Sequence, residues 1–120
     1  LSNSNFSGND FENADFNYAD LTNTVLDLAN LESTNFKGAI LKNTSFKRAD
    51  LTKADLSLTD LRGAEFSVKS LKGATLTNAR VSENFSITMS KQLNKTDYAW
   101  FAETYKVVEV DDDNFQILKK

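Results

Sequence analysis

The chain contains no cysteine and no histidine among its 120 residues. Without cysteine there is no disulfide framework and no thiolate chemistry. Without histidine the commonest general base and the commonest metal ligand are both missing. No apolar run approaches the ~18 residues of a membrane span, and no basic-then-apolar leader opens the chain. There is also no glycine-rich phosphate loop. What is present is a single-domain length with a net charge of −3. That near-neutral total conceals a polarity. Residues 1–36 carry six acids (Asp10, Glu12, Asp15, Asp20, Asp27, Glu32) and no base, residues 37–80 net +5, and residues 81–120 net −2.

The strongest signal is a period of five. From Leu1 through Phe6, Phe11, Phe16, Leu21 and onward to Val81, every fifth residue is Leu or Phe until the final Val. Two positions before most central residues sits a small one, such as Ala14, Thr24, Ala29, Thr44, Ala54 or Thr59. The other three positions are mostly Asp, Asn, Ser, Thr, Lys and Gly. On a helix, steps of five scatter these residues around the cylinder. On a strand, an odd step alternates them between faces. The pattern is coherent if the chain turns a corner once per unit, always to the same side, and sends one large and one small side chain inward. Such coils stack as in other solenoids. Four units per coil sorts the centres into even columns, among them Leu1, Leu21, Leu41, Leu61 and Val81, and the aromatic-rich Phe6, Leu26, Phe46 and Phe66. The expected lining therefore includes Leu21, Phe36, Leu41, Phe46, Leu51, Leu56, Leu61, Phe66 and Leu71.

The block A-[DN]-[LF]-x-x, present as "ADFNY", "ADLTN", "ADLTK" and "ADLSL", resembles the pentapeptide-repeat family over residues 1 to about 85. The resemblance implies an all-β solenoid, a right-handed quadrilateral β-helix, here of about four coils. Two regions are expected: the β-helix over 1–85 and a short C-terminal α/β cap over 86–120. In the cap, "TDYAWFAETY" reads as a helix with Thr96 as N-cap and Tyr98, Phe101, Ala102 and Tyr105 on one face. "YKVVEV" and "FQIL" around "DDDN" read as a hairpin. The N-terminal end has no cover in this sequence. Its acids oppose an end-on second copy, although chain preceding Leu1 is the favoured reading, since the pattern is already running at Leu1.

Few residues suggest chemistry. Asp50, Asp55 and Asp60 leave three successive faces and do not converge, so they read as residues bonding locally at corners. "EVDDDN" lacks the Gly and Glu of an EF-hand loop and reads as a polar turn. Lys69 occupies a place for a small inward residue and is expected to turn its head outward. Four sequons, at Asn5, Asn43, Asn84 and Asn94, are what chance supplies in a chain so rich in Asn, Ser and Thr. Tyr18, Val25, Leu28, Ile40, Leu58 and Val68 are apolar at places expected to face solvent, and together they form the expected partner surface.

Three function classes follow. The first is a rigid, non-catalytic protein–protein interaction or scaffold module, with no cofactor, metal, small-molecule substrate or membrane. Its protein partner is unnamed and its oligomeric state is monomer or weak dimer. The resemblance adds that such domains occur alone and within larger proteins, including bacterial effectors delivered into host cells. A cytoplasmic location is slightly favoured, with a secreted effector as the other option. The second, also implied by the resemblance, is a DNA mimic that binds and protects DNA gyrase or topoisomerase. The basic middle of the chain and the short stack argue against it. The third, an enzyme, ranks last. Direct nucleic-acid binding, for example through Lys42 and Arg62 in one column, is unspecific.

Overall fold

A computed structural model describes all residues, 1–120. From Asn5 to Arg80 the backbone pairs with itself at intervals of twenty residues. Twelve isolated parallel bridges run from Asn5–Val25 to Asp60–Arg80. Three junctions on each of four walls make four stacked coils, so each five-residue unit supplies one wall and one corner.

The unit's chemistry explains its composition. The central residue accepts a hydrogen bond from the backbone three residues on, as when the Ala14 N–H donates to Phe11 O at 2.9 Å. This closes a β-turn whose third residue has positive φ, as in type II. Fifteen of the sixteen units adopt it, eleven without glycine and four with it. In nine of the sixteen units the residue before the centre is Asp or Asn, whose side chain accepts from the backbone N–H two residues later, as in Asp15 to Asn17 at 3.0 Å and Asp50 to Thr52 at 3.0 Å. Where the small inward residue is Thr, its hydroxyl needs a buried acceptor. Thr24, Thr34 and Thr44 each donate to a carbonyl of the coil beneath, at 2.8–2.9 Å. No buried side-chain polar atom is left without a partner.

Leu21, Phe36, Leu41, Phe46, Leu51, Leu56, Leu61, Phe66 and Leu71 are all buried inside this tube. A series of aromatic contacts at 5.3–6.1 Å runs along it from Phe6 through Phe11, Phe16, Phe36, Phe46 and Phe66 to Phe85. It continues through Phe101 and Tyr105 to Trp100. At the other end Leu1 is exposed, and Phe6, Phe11 and Phe16 are only partly buried.

The C-terminal region consists of β1 (Arg80–Val81), α1 (Phe85–Gln92), α2 (Lys95–Thr104), β2 (Tyr105–Asp111) and β3 (Asn114–Lys119). The strands form an antiparallel sheet in the order β1-β3-β2. Helix α1 is an element the sequence reading does not anticipate. It buries only Phe85 and Met89, one turn apart, and is too short to show a period. Helix α2 starts at Lys95, with Asn94 and not Thr96 as N-cap; the Asn94 side chain accepts from the Asp97 N–H at 2.8 Å. Asparagine and threonine both cap well, so sequence alone does not decide between neighbours.

These elements finish the β-helix wall by wall. Within the stack, each central N–H donates to a carbonyl of the coil above, as Leu21 does to Ile40 at 2.8 Å. In the last coil, Leu61 still finds a carbonyl, that of Arg80 at 2.8 Å. The other three walls have no further coil and use side chains. Phe66 N–H donates to Gln92 Oε1 at 2.8 Å, Leu71 N–H to Asp97 Oδ2 at 2.9 Å, and Leu76 N–H to the Tyr105 hydroxyl at 3.2 Å. An exposed β-edge is thereby paired with one side chain per wall.

Candidate interaction surfaces

The walls are shallow. The two recesses in the molecule are about 240 Å³, where α1 meets the Leu61–Ala64 corner, and about 370 Å³, around Leu28, Arg48 and Lys69. No three His, Cys, Asp or Glu side chains are grouped to hold a metal ion. Asp50, Asp55 and Asp60 each accept from their own turn, through Thr52, Ser57 and Arg62 respectively. The acidic residues Asp112 and Asp113 form the exposed turn between β2 and β3.

The six apolar residues expected on the outside do not form one surface. Tyr18 and Leu58 occupy the same corner two coils apart, 68% and 50% exposed, and Ile40, 40% exposed, stands on the adjoining wall. Gly38 lies between Tyr18 and Leu58 in the corner column. A Cβ there would collide with the Tyr18 ring, which lies across the glycine. Tyr18, Gly38, Ile40 and Leu58 thus make one apolar strip along the axis. Leu28 sits half a coil away, at the opposite corner. Val25 is half-buried in the middle of another wall.

Val68 is a correction: it is buried, at 7% exposure, not outward. Its place in the unit calls for positive φ, and a β-branched side chain tolerates that poorly. The unit at 66–70 is the one without a positive-φ residue. Val68 turns inward and Lys69 outward, exchanging the roles the period assigns them.

Charge borders the Tyr18 strip. Asp60 and Arg62 form the one ion pair in the structure, with Arg62 Nη2 2.6 Å from Oδ2 and Nε 2.9 Å from Oδ1. Partial burial pushes the Asp60 carboxyl up. The hydrogen bonds from Arg62, with the positive charges of Arg62 and Arg80, outweigh it and hold the group below the usual carboxylate range. The same contact raises the Arg62 guanidinium further. Asp20, on the opposite side of Ile40, is held low by the Thr22 hydroxyl and backbone N–H.

Sequence reasoning misses Gln92 and Asp97, and it places Tyr105 on a helix face although Tyr105 opens β2; these three side chains close the edge. They lie 26 to 29 residues from the N–H groups they receive, outside any repeat. It also misses Arg48, which a period shows only as one more polar corner residue.

The pentapeptide-repeats family model matches residues 1–31 and 29–67 in eight copies, more than half of the chain. Among solved structures, the chain is similar to a pentapeptide repeat protein from the Arabidopsis thaliana thylakoid lumen. Identity is 29%, with a TM-score of 0.33, over 77% of this chain and 78% of that one. It is also similar to HetL of Nostoc sp. strain PCC 7120, a pentapeptide repeat protein involved in heterocyst differentiation regulation. There the identity is 25%, the TM-score 0.28, and the coverage 66% and 47%. A pentapeptide repeat protein from Cyanothece 51142 matches at 23% identity and TM-score 0.27, over 70% and 60%. The chain thus spans less than two thirds of the two cyanobacterial proteins. No curated protein matches the sequence. With the family model covering residues 1–67 and rungs repeating every twenty residues on its four walls, the chain belongs to the pentapeptide-repeat family.

Proposed function

We infer that this domain is a rigid, non-catalytic module that docks a protein partner on its outer wall. The observation carrying this reading is the Tyr18–Gly38–Ile40–Leu58 strip, three exposed apolar side chains arranged along a wall that cannot collapse over them. Scattered apolar surface residues are ordinary, but an aligned set bordered by charge is what interfaces present. The Asp60–Arg62 pair and Asp20 supply a polar rim. Rigidity adds affinity because few side-chain or backbone rotations are lost on docking.

Catalysis fits poorly. A reaction site needs convergent groups in a concave space, and here the carboxylates are engaged with their own turns. The DNA-mimic reading needs acid along a whole rod, but residues 1–20, 21–40, 41–60 and 61–80 net −4, −1, +1 and +3. A gyrase supercoiling assay with this protein should show no protection from a quinolone.

The test of the docking strip is a crosslinking capture compared between the natural chain and a Tyr18→Ser/Leu58→Ser variant. Both positions are exposed, so the fold should persist. Loss of specific captured proteins is the expected result. An identical captured set would reject this surface.

A further inference from the structure

The exchange of Val68 and Lys69 builds something the other fifteen corners lack. In regular units the rung bond comes from the residue just before the centre, as Glu65 N–H to Thr44 O at 2.9 Å and Thr75 N–H to Ala54 O at 2.9 Å. In the irregular unit Val68 N–H closes on Phe66 O at 2.6 Å, and Lys69 N–H takes the rung bond to Ala49 O at 2.8 Å. The ammonium of Lys69 is thereby placed on the outer surface beside the larger recess, about 370 Å³, lined by Leu28, Ala29, Asn30, Arg48, Asp50 and Lys69. Arg48 and Lys69 take part in no ion pair. Asp50 is already engaged through Oδ1 by the Thr52 N–H and hydroxyl, at 3.0 and 2.6 Å. Leu28 is 62% exposed.

We propose that this recess binds an extended segment of a partner protein that carries a bulky apolar residue and a single carboxylate two positions apart. The apolar residue covers Leu28, and the carboxylate sits between Arg48 and Lys69. The spacing supports this pairing. Arg48 lies one rung and Lys69 two rungs above Leu28, so at ~4.8 Å per rung the cations stand about 5–10 Å along the axis from it. In an extended strand, side chains two residues apart share a face and are separated by roughly 6.7 Å. A carboxylate reaching an arginine and a lysine gains charge-assisted hydrogen bonds.

A polyanion is a worse fit. Asp50 is in the lining, Asp27 and Glu32 belong to the coil that carries Leu28, and Asp10 and Glu12 to the coil below. Within the lining, positive charge is confined to Arg48 and Lys69, whereas a phosphodiester backbone is held by a continuing track of cations. The site lies on the corner opposite the Tyr18 strip and does not depend on that surface.

The experiment is an NMR titration of the full chain with the peptide acetyl-Ser-Leu-Thr-Glu-Ser-amide, its Glu→Gln form, and a short oligothymidylate. Amide shifts from the Glu peptide should concentrate at residues 28–30, 48–50 and 68–70. Affinity should fall about tenfold or more for the Gln peptide and for an Arg48→Asn/Lys69→Gln variant. It should not change in Tyr18→Ser/Leu58→Ser, which separates this site from the docking strip. Asparagine suits the positive φ of residue 48, and a circular dichroism melt checks that the variant folds. Absence of shifts at millimolar peptide, equal affinity for the Gln peptide, or tighter binding of the oligonucleotide at the same residues would each overturn the proposal.

Discussion

Replacing Tyr105 with Phe isolates the closing of one wall from everything else the residue does. The ring packs at 5.9 Å from both Phe101 and Trp100, and phenylalanine keeps that packing. Only the hydroxyl goes. With it go the acceptor for the Leu76 N–H at 3.2 Å and the donor to the Ala74 carbonyl at 3.1 Å. Both bonds are buried, so water does not replace the lost partner. A buried N–H left alone costs about 1–3 kcal/mol, and the more apolar ring returns only a little of that. The net loss should be about 2 kcal/mol, or a Tm lower by roughly 6–10 °C for a chain of this size. Urea unfolding followed by circular dichroism measures the loss, and amide hydrogen exchange localises it to Leu76. A loss below about 0.5 kcal/mol, with the Leu76 amide as protected as before, would refute the idea that this hydroxyl ends the wall.

Leu41→Asp places an unpaired charge at mid-stack, where Leu41 is fully buried, and should abolish the cooperative melt; a natural-like melting curve would contradict the inward assignment. Gly38→Ala should cost about 1 kcal/mol from its positive φ and also push the Tyr18 ring off the wall. Gly8→Ala has the same φ penalty and open space, so NMR should show the Tyr18 ring moving only in the Gly38 variant. Because the folded Asp60 carboxyl lies below its ordinary value of 3.8, its stabilisation is present above that pH and fades as pH falls through the lowered value. The stability gap between the natural chain and Asp60→Asn should therefore be constant at neutral pH and close under acid, measured by urea titration at each pH.

The tube was legible in the sequence because one covalent period repeats every structural demand. Leu51 sits where Leu31 sits one coil earlier, with the same turn and the same neighbours, so seventeen weak signals add. The carboxylate turns were legible for the same reason. Legibility fails where a residue is used once. Val68 and Lys69 exchange roles because positive φ at a β-branched residue competes with exposing a valine, and a column of names does not weigh those costs. Gln92, Asp97 and Tyr105 meet their N–H partners through tertiary placement of α1, α2 and β2. The partner surface was legible only as a set of six apolar residues. Folding separated the set, leaving Tyr18, Ile40 and Leu58 along one corner and Leu28 across the tube, with Val25 half-buried and Val68 inside.

The chain's single tryptophan, Trp100, stands against Tyr105 at the last contact of the aromatic series, while every phenylalanine of the coils is far dimmer in emission. Indole fluorescence is therefore a built-in optical probe of the C-terminal region alone, the lid on the last coil, whereas far-ultraviolet dichroism reports the backbone of lid and coils together. If both signals change at one denaturant concentration, lid and tube are a single cooperative body; if the emission shifts first, the lid lifts off an otherwise intact stack.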